Sequence, residues 1–336
     1  MSTHIEFGDA EESAAWRLIE LALAEDLNAT AAGTTSAPID LGAVFSMTTV
    51  DSSLDHVTAL LPNELDRDLT CAALVDPAAT AMIDVVIRHE GVLAGVRVAE
   101  LVFERLDPTV SWQTRRYDGT AVGAGDVVAR VSGPLRSLLI GERTALNFLM
   151  HLSGVATQTR RFVEAIAGTK AVILDTRKTL PGWRLLEKYA VRCGGGTNHR
   201  MGLSDGVLIK DNHLEAWAAA SGAESHSIAA AVRQARSRSP KEVSIEVEVD
   251  TLEQLRDALT GMPDIVLLDN MNPTQLRDAV KLRDELAESV RLEASGGITL
   301  ANVREIAETR VDRISIGALT HSAPALDIAF DWHVAS

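Results

Sequence analysis

The feature that most limits what this chain can become is a rhythm that starts after residue 170. Short apolar stretches at 171–175, 206–209, 244–249, 265–268, 290–293 and 312–316 read as strands. Helical periodicity falls between several of them, at 213–235, 251–260, 273–288 and 300–308. Near-continuous apolar strands alternating with helices predict a parallel sheet covered by helices. A closed barrel and an open doubly wound sheet both carry that rhythm. The polar residues favour the barrel. Asp175, Lys210, Glu248, Asp269 and Ser295 sit at or just past the C-terminal ends of different strands. A barrel collects its reactive groups on that rim, whereas an open sheet gathers them near one crevice.

The earlier residues follow other patterns. Residues 10–25 read as a helix, with Trp16, Ile19, Leu21 and Leu23 among good helix formers. Residues 28–66 are rich in Ala, Thr and Ser and weakly periodic, an excursion of loops and short elements. Residues 71–135 are β-rich and punctuated by Gly91, Gly95, Gly123, Gly125 and the turn Gly133-Pro134. That punctuation predicts a small antiparallel domain. Residues 142–167 form an apolar-striped helical stretch with an expected interruption near Ser153-Gly154.

Composition removes whole classes of function. With 336 residues and a 46% hydrophobic share, the chain can bury the cores of two domains. Its 32 basic and 47 acidic residues give a net charge of -15, which argues against general nucleic-acid binding. Cys71 and Cys193 are the only cysteines, so a disulfide framework is not expected and a reducing cytoplasm is. The acidic start lacks an apolar signal core, and no apolar run reaches the ~20 residues of a membrane helix.

Against that acidic background one segment is cationic. Between Lys170 and His213 there are eight Lys/Arg and four Asp/Glu. Arg184, Lys188 and Arg192 fall on a helix, where solvation explains them as well as a ligand does. Arg177, Lys178, Arg200 and Lys210 lie instead beside strand ends or a glycine turn. Arginine offers a planar fork to carboxylate or phosphate, and lysine a compact charge. The run Gly194-Gly195-Gly196 permits close backbone approach, and His199 after it is placed to contact an anionic oxygen or a ring nitrogen. The run is neither a Walker A loop nor a dinucleotide fingerprint.

The acidic counterpart is IEVEVD. Alternation puts Glu246, Glu248 and Asp250 on one face and Ile245, Val247 and Val249 on the other. Asp269 ends the next strand, so Glu248 and Asp269 can converge. Buried carboxylates need cationic partners or a metal, and hard oxygen ligands suit Mg²⁺. Glycine-rich turns follow the last two strands, with Ser295, Gly296, Gly297 and Gly317 as candidates for a phosphate cradle. The pocket therefore asks for a ligand with several negative groups, one of them phosphate, together with a divalent metal. Cys193 is not needed as a nucleophile.

Seven blocks carry a family resemblance: GERTALNFLMHLSGVAT, ILDTRKTLPGWR, KYAVRCGGGTNHRMGLSDGVLIKDNH, IEVEVDT, LLDNM, LEASGGI and VDRISIGALTHS. In that order they resemble quinolinate phosphoribosyltransferase, from about Asp68 to Trp332. The resemblance implies an N-terminal open-faced α/β sandwich (1–147, with 28–66 inserted), an incomplete seven-stranded α/β barrel (148–320) and a C-terminal extension (321–336). It implies transfer of phosphoribose from phosphoribosyl pyrophosphate to quinolinate with decarboxylation, giving nicotinate mononucleotide. The alternatives are a phosphoribosyltransferase for another heterocyclic carboxylate and a non-catalytic anion-binding barrel.

It further implies a Mg²⁺ cofactor and a homodimer with shared sites, in which Arg143 reaches the partner's pocket. By position, Arg177, His199 and Arg200 fall at quinolinate-binding places. Lys178 and Lys210 fall in the cationic site, Glu248 and Asp269 near the ribose and metal, and Ser295, Gly296 and Gly317 in the phosphate loops. The chain departs from the family in the 28–66 segment, at Leu180 where threonine is common, and at Met150 where glutamine is common.

Overall fold

The computed structural model describes residues 5–28, 65–221 and 227–333. They belong to two compact units. Of the 28–66 excursion, residues 29–64 lie outside the described residues.

The first unit takes in residues up to 157, together with 181–193 and 323 onward. Its strands are β1 (Thr80–Ile87), β2 (Gly91–Val92), β3 (Ser111–Thr114), β4 (Ala121–Val122) and β5 (Val127–Pro134). A C-terminal strand, Ile328–His333, joins them in a four-stranded sheet of order C-terminal strand, β1, β5, β3. β1 is antiparallel to both of its neighbours, and β3 to β5. β2 and β4 form a separate ribbon. Alternation sorts β1: Ile83, Val85 and Ile87 are fully buried, while Asp84 points the other way. Asp84 pairs in register with Arg130 and accepts two hydrogen bonds from it, at 2.7 and 3.0 Å.

Among the described residues this unit has α1 (Asp9–Asn28), α2 (Leu69–Leu74), α3 (Val96–Leu106), part of α4 (Leu135–Ala165) and α5 (Arg184–Cys193). On α3, the ring of Phe103 lies 6.3 Å from Phe330 and 5.9 Å from Trp112, so this helix covers one face of the sheet. Burying such a side chain stabilises by about 1.5–3 kcal/mol. α1 packs on α3 and α5. Asp68 caps α2 by accepting from the amides of Thr70 and Cys71. The expected break at Ser153-Gly154 does not occur, and α4 runs through it. Gly154 serves contact instead, because a Cβ there would stand 2.2 Å from the Pro324 carbonyl oxygen. Periodicity alone cannot tell a helix-weakening glycine from one that admits a neighbour's backbone.

The second unit comprises 158–180 and 194–322. Its strands are β6 (Val172–Leu174), β7 (Val207–Ile209), β8 (Ile245–Val249), β9 (Ile265–Asp269), β10 (Arg291–Ser295) and β11 (Arg313–Ser315). They form one parallel sheet in the order β6, β11, β10, β9, β8, β7. The first strand pairs with the last, as in a closing barrel. A parallel bridge between Leu174 and Thr197 adds a one-residue seventh rung beyond β6. The barrel is thus incomplete, with its gap between that bridge and β7.

The covering helices are α6 (Asp211–Ser221), α7 (Ile228–Arg238), α8 (Leu252–Thr260), α9 (Pro273–Leu286), α10 (Val303–Glu308) and α11 (Ala318–His321). The single helix expected over 213–235 is two helices. Ser227 opens the second by accepting from Ala230 N, and Asp257 accepts from Ser227 Oγ and Ile228 N. Thr251 and Asn272 each close a capping box, the latter with Pro273 at the first helical position. These caps start α8 and α9 within a few residues of the strand ends and so keep the rim loops short.

Candidate active site

A cavity of about 850 Å³ opens among the strand ends of the second unit. Arg177, Lys178, His199, Arg200, Lys210, Glu248, Asp269, Ser295, Gly296, Gly297 and Gly317 all line it. Arg143 lies on α4 in the first unit, with its side chain 76% exposed and an ion pair to neighbouring Glu142 at 3.8 Å.

The rim is built by strand register. Asp269 stands directly beside Ser295, which joins the acid at the end of β9 to the glycine turn after β10. Lys210, just past β7, donates its Nζ to Glu248 on β8. Arg200 donates to the Gly206 carbonyl at 2.8 Å. Burial holds its pKa below the usual guanidinium value, and the charge of Arg177 adds to the depression. The Arg177 Nε is buried and has no hydrogen-bond partner among the described residues. Thr320 Oγ1 donates to the Lys178 carbonyl at 2.7 Å and anchors that turn.

Below the rim the charges pair with one another, though Glu246 Oε1 and Glu293 Oε1 have no hydrogen-bond partner among the described residues. His199 Nε2 lies 3.1 Å from Glu246 and 3.5 Å from Glu293. Glu293 is fully buried and also accepts from Arg313 Nε at 2.7 Å. Burial lowers the imidazole pKa, but hydrogen bonds and charge from the two carboxylates outweigh it and raise it to about 9. One contact belongs to the other protonation state: Nδ1 accepts from the Arg200 amide at 2.8 Å, which only the neutral ring can do. Two buried carboxylates outweigh one contact between adjacent residues, so the imidazolium is the form at neutral pH. Burial raises Glu293 and Glu246 alike. In Glu293 the opposing His199 and Arg313 prevail and its pKa is lowered, whereas in Glu246 burial prevails. Asp175, fully buried at the end of β6, accepts from His199 N at 2.9 Å and from Asn198 Nδ2 at 2.6 Å. It fixes the loop that carries His199 and Arg200.

The donor atoms of His199, Glu246 and Glu293 lie within 4.8 Å of one another, a set that could hold a divalent ion. Glu248 and Asp269 offer a different, all-oxygen pair on the cavity wall.

Sequence reading passed over Asn270, Glu293 and His321 as site residues, although all three line the cavity. The signal for Glu293 was present, since a two-residue spacing puts it on the same strand face as Ser295. His321 lies four residues after Gly317, one helical turn away. Asn270 carried no signal beyond its place after Asp269.

Comparison with known proteins agrees along most of the chain. The family described as quinolinate phosphoribosyl transferase, C-terminal domain, matches residues 155–331, and its N-terminal domain matches 68–153. The chain is 45% identical over 285 residues to the nicotinate-nucleotide pyrophosphorylase [carboxylating] of Mycobacterium leprae, covering 84% of this chain and 97% of that one. The structure of the nicotinate-nucleotide pyrophosphorylase from Francisella tularensis aligns with a TM-score of 0.77 at 33% identity, covering 99% of this chain and 100% of that one. NadC from Streptococcus pyogenes aligns with a TM-score of 0.71 at 38% identity, covering 83% and 100%.

Proposed function

The chain belongs to the quinolinate phosphoribosyltransferase family, and we propose how its own residues carry out that family's reaction. It is a decarboxylating phosphoribosyltransferase of NAD biosynthesis. It joins phosphoribosyl pyrophosphate to quinolinate and yields nicotinate mononucleotide, pyrophosphate and CO₂. The observation that carries the residue assignment is the buried, unpartnered Arg177 Nε in a wall that also holds Arg200 and Lys178. A buried donor left unmade is costly, and a dicarboxylate supplies acceptors of the right charge.

Arg177, Arg200 and the imidazolium of His199 bind the two quinolinate carboxylates and hold the ring nitrogen in line with the anomeric carbon. Lys178 and Lys210 offset the phosphate charge. Ser295, Gly296, Gly297 and Gly317 seat the 5-phosphate on backbone amides. Glu248 and Asp269 stabilise the positive charge that develops on the ribose as pyrophosphate leaves. No side-chain nucleophile is needed. Once the pyridine nitrogen is bonded to ribose, it is cationic and takes up the electron pair of the breaking carbon–carboxyl bond.

Two donor sets are available to the metal. In the first, His199 and Arg313 offset the charge of the two carboxylates, while Glu246 Oε1 and Glu293 Oε1 are left without a hydrogen-bond partner among the described residues. The oxygen pair Glu248 and Asp269 fits Mg²⁺, which prefers carboxylates, waters and substrate phosphate. Bound there, Mg²⁺ supplies charge neutralisation to the pyrophosphate group. The exposure of Arg143 supports a homodimer in which this side chain enters the partner subunit's site.

The test is product analysis with purified protein, quinolinate, phosphoribosyl pyrophosphate and Mg²⁺. Nicotinate mononucleotide matched by CO₂ and pyrophosphate is expected; no product from folded protein would overturn the reading. For the shared site, mixing Arg143→Ala with Lys210→Ala protein should restore part of the activity lost in each. No rescue despite demonstrated subunit exchange would remove Arg143 from the site.

A further inference from the structure

We propose that Asn270 is a positioning residue. It locks the Asp269 carboxylate to the Gly296 turn and thereby fixes the spacing between the acid and phosphate ends of the ribosyl subsite. The proposal rests on the reading of Asp269 and the glycine turn given above, and it assigns a role to a residue that neither binds a substrate charge nor carries one.

Four observations converge on this side chain. Its backbone is left-handed, with φ of 52°. Among the described residues only Met262, Asn270 and Arg310 do this without being glycine, and of these only Asn270 lines the cavity. Its amide N–H donates to the Ser295 carbonyl at 2.9 Å, one residue beyond the register pair of Asp269 with Ser295. Its Nδ2 donates to Asp269 Oδ2 at 2.7 Å, and no other hydrogen bond reaches that carboxylate among the described residues. Its Oδ1 occupies the space over Gly296, where a Cβ would stand 2.2 Å away. Gly296 itself has φ of 93°.

The left-handed region is unfavourable for most residues and least so for asparagine, and it persists where the surroundings over-determine it. Here they do, from both sides of the rim. Aspartate would tolerate the same backbone and volume, yet it would set a second negative charge against Asp269. Glycine would tolerate the backbone but leave Asp269 without its donor and the Gly296 turn without its cover. The amide thus connects two subsites that must match the fixed distance between the ribose ring and its 5-phosphate. A residue acting this way affects turnover and metal use, while the quinolinate wall of Arg177 and Arg200 is untouched.

The experiment compares Asn270→Gly and Asn270→Asp with wild type, and carries Asp269→Asn as a reference. It measures kcat, KM for both substrates, the Mg²⁺ concentration for half-maximal rate, quinolinate binding without the second substrate by calorimetry, and the melting temperature. For Asn270→Gly, kcat should fall roughly 10-fold or more, the scale of one lost hydrogen bond to a charged group. Half-saturation by Mg²⁺ should rise, and quinolinate affinity should stay within about twofold of wild type. Asn270→Asp should lose more than Asn270→Gly. Should the glycine variant not fold, the isosteric aspartate variant carries the same test. Wild-type kcat and Mg²⁺ dependence in either folded variant, or a loss confined to melting temperature, would overturn the proposal. If Asp269→Asn is impaired while both Asn270 variants are normal, the inference alone fails. If Asp269→Asn is itself normal, the functional reading fails and takes the inference with it.

Discussion

Two tiers of carboxylate in the barrel have the same chemistry and opposite surroundings. Glu246 and Glu293 are buried and held by His199 and, at Glu293, by Arg313; one oxygen of each has no hydrogen-bond partner among the described residues, and Glu293 forms part of the cavity floor. Glu248 and Asp269, at or near the same strand ends, line the cavity. Glu246 and Glu248 are two residues apart on one strand face, so about 7 Å of rise separates a scaffold charge from a working one. Depth decides the role. A buried carboxylate depends on protein cations to balance its charge, whereas one at the rim can also be met by substrate or metal.

The deep tier offers the largest test. Glu293→Gln leaves Arg313 without its buried counter-charge and His199 with Glu246 alone, and should cost about 3–5 kcal/mol of stability. The urea midpoint reads it directly. A variant as stable as wild type would mean that the tiers do not differ. The rim should respond in the opposite sense. Glu248→Gln should lower kcat by roughly 10²–10³ while shifting stability by less than about 0.5 kcal/mol. A variant that melts early but turns over normally would exchange the two roles.

Between the tiers, His199 makes the comparison pH-dependent. Its pKa is raised to about 9 in the folded state, above the ordinary imidazole value of about 6.5. The stability it contributes is therefore fully present below about 6.5 and lost as pH rises through 9. The gap in melting temperature between wild type and His199→Gln should narrow from pH 6.5 to 9.5. A gap that widens would show a neutral ring, and with it the Arg200 amide contact as the resident state.

The smallest effect belongs to a carboxylate in neither tier. Asp84 sits on the sheet of the first unit, where hydrogen bonds from Arg130, partly opposed by burial, lower its pKa to about 2. Its contribution is present above the ordinary value of about 3.9 and lost as pH falls through 2. Since Arg130 is 39% exposed, Asp84→Asn should cost at most about 1 kcal/mol at pH 7. A larger loss would show that exposure matters less than the tier comparison claims.

The sequence was legible wherever a local period carried the information. Alternation alone puts Glu246 and Glu248 on one face, and the strand ends mark Lys210 and Asp269. It was not legible where two distant segments had to meet. Gly154 reads as a helix break until Pro324 is seen against it, and the stretch 213–235 reads as one helix until Ser227 is seen capping a second. Arg143 entered only through family resemblance, because nothing in its own neighbourhood points to a ligand.

By itself, then, the amino-acid order determined a parallel α/β unit, an antiparallel sheet though not the helix Val96–Leu106 within it, a cation-rich segment in an acidic chain and the residues at each strand end. All of these follow from the period of a strand or helix and the charge of a side chain, which are properties of neighbours in sequence. Tertiary structure alone decided how deep each acid lies, which cation closes it, why Arg177 Nε is left unpaired, and that Asn270 bridges Asp269 and Gly296. Those depend on desolvation and on distances between segments tens of residues apart, and no local period encodes them.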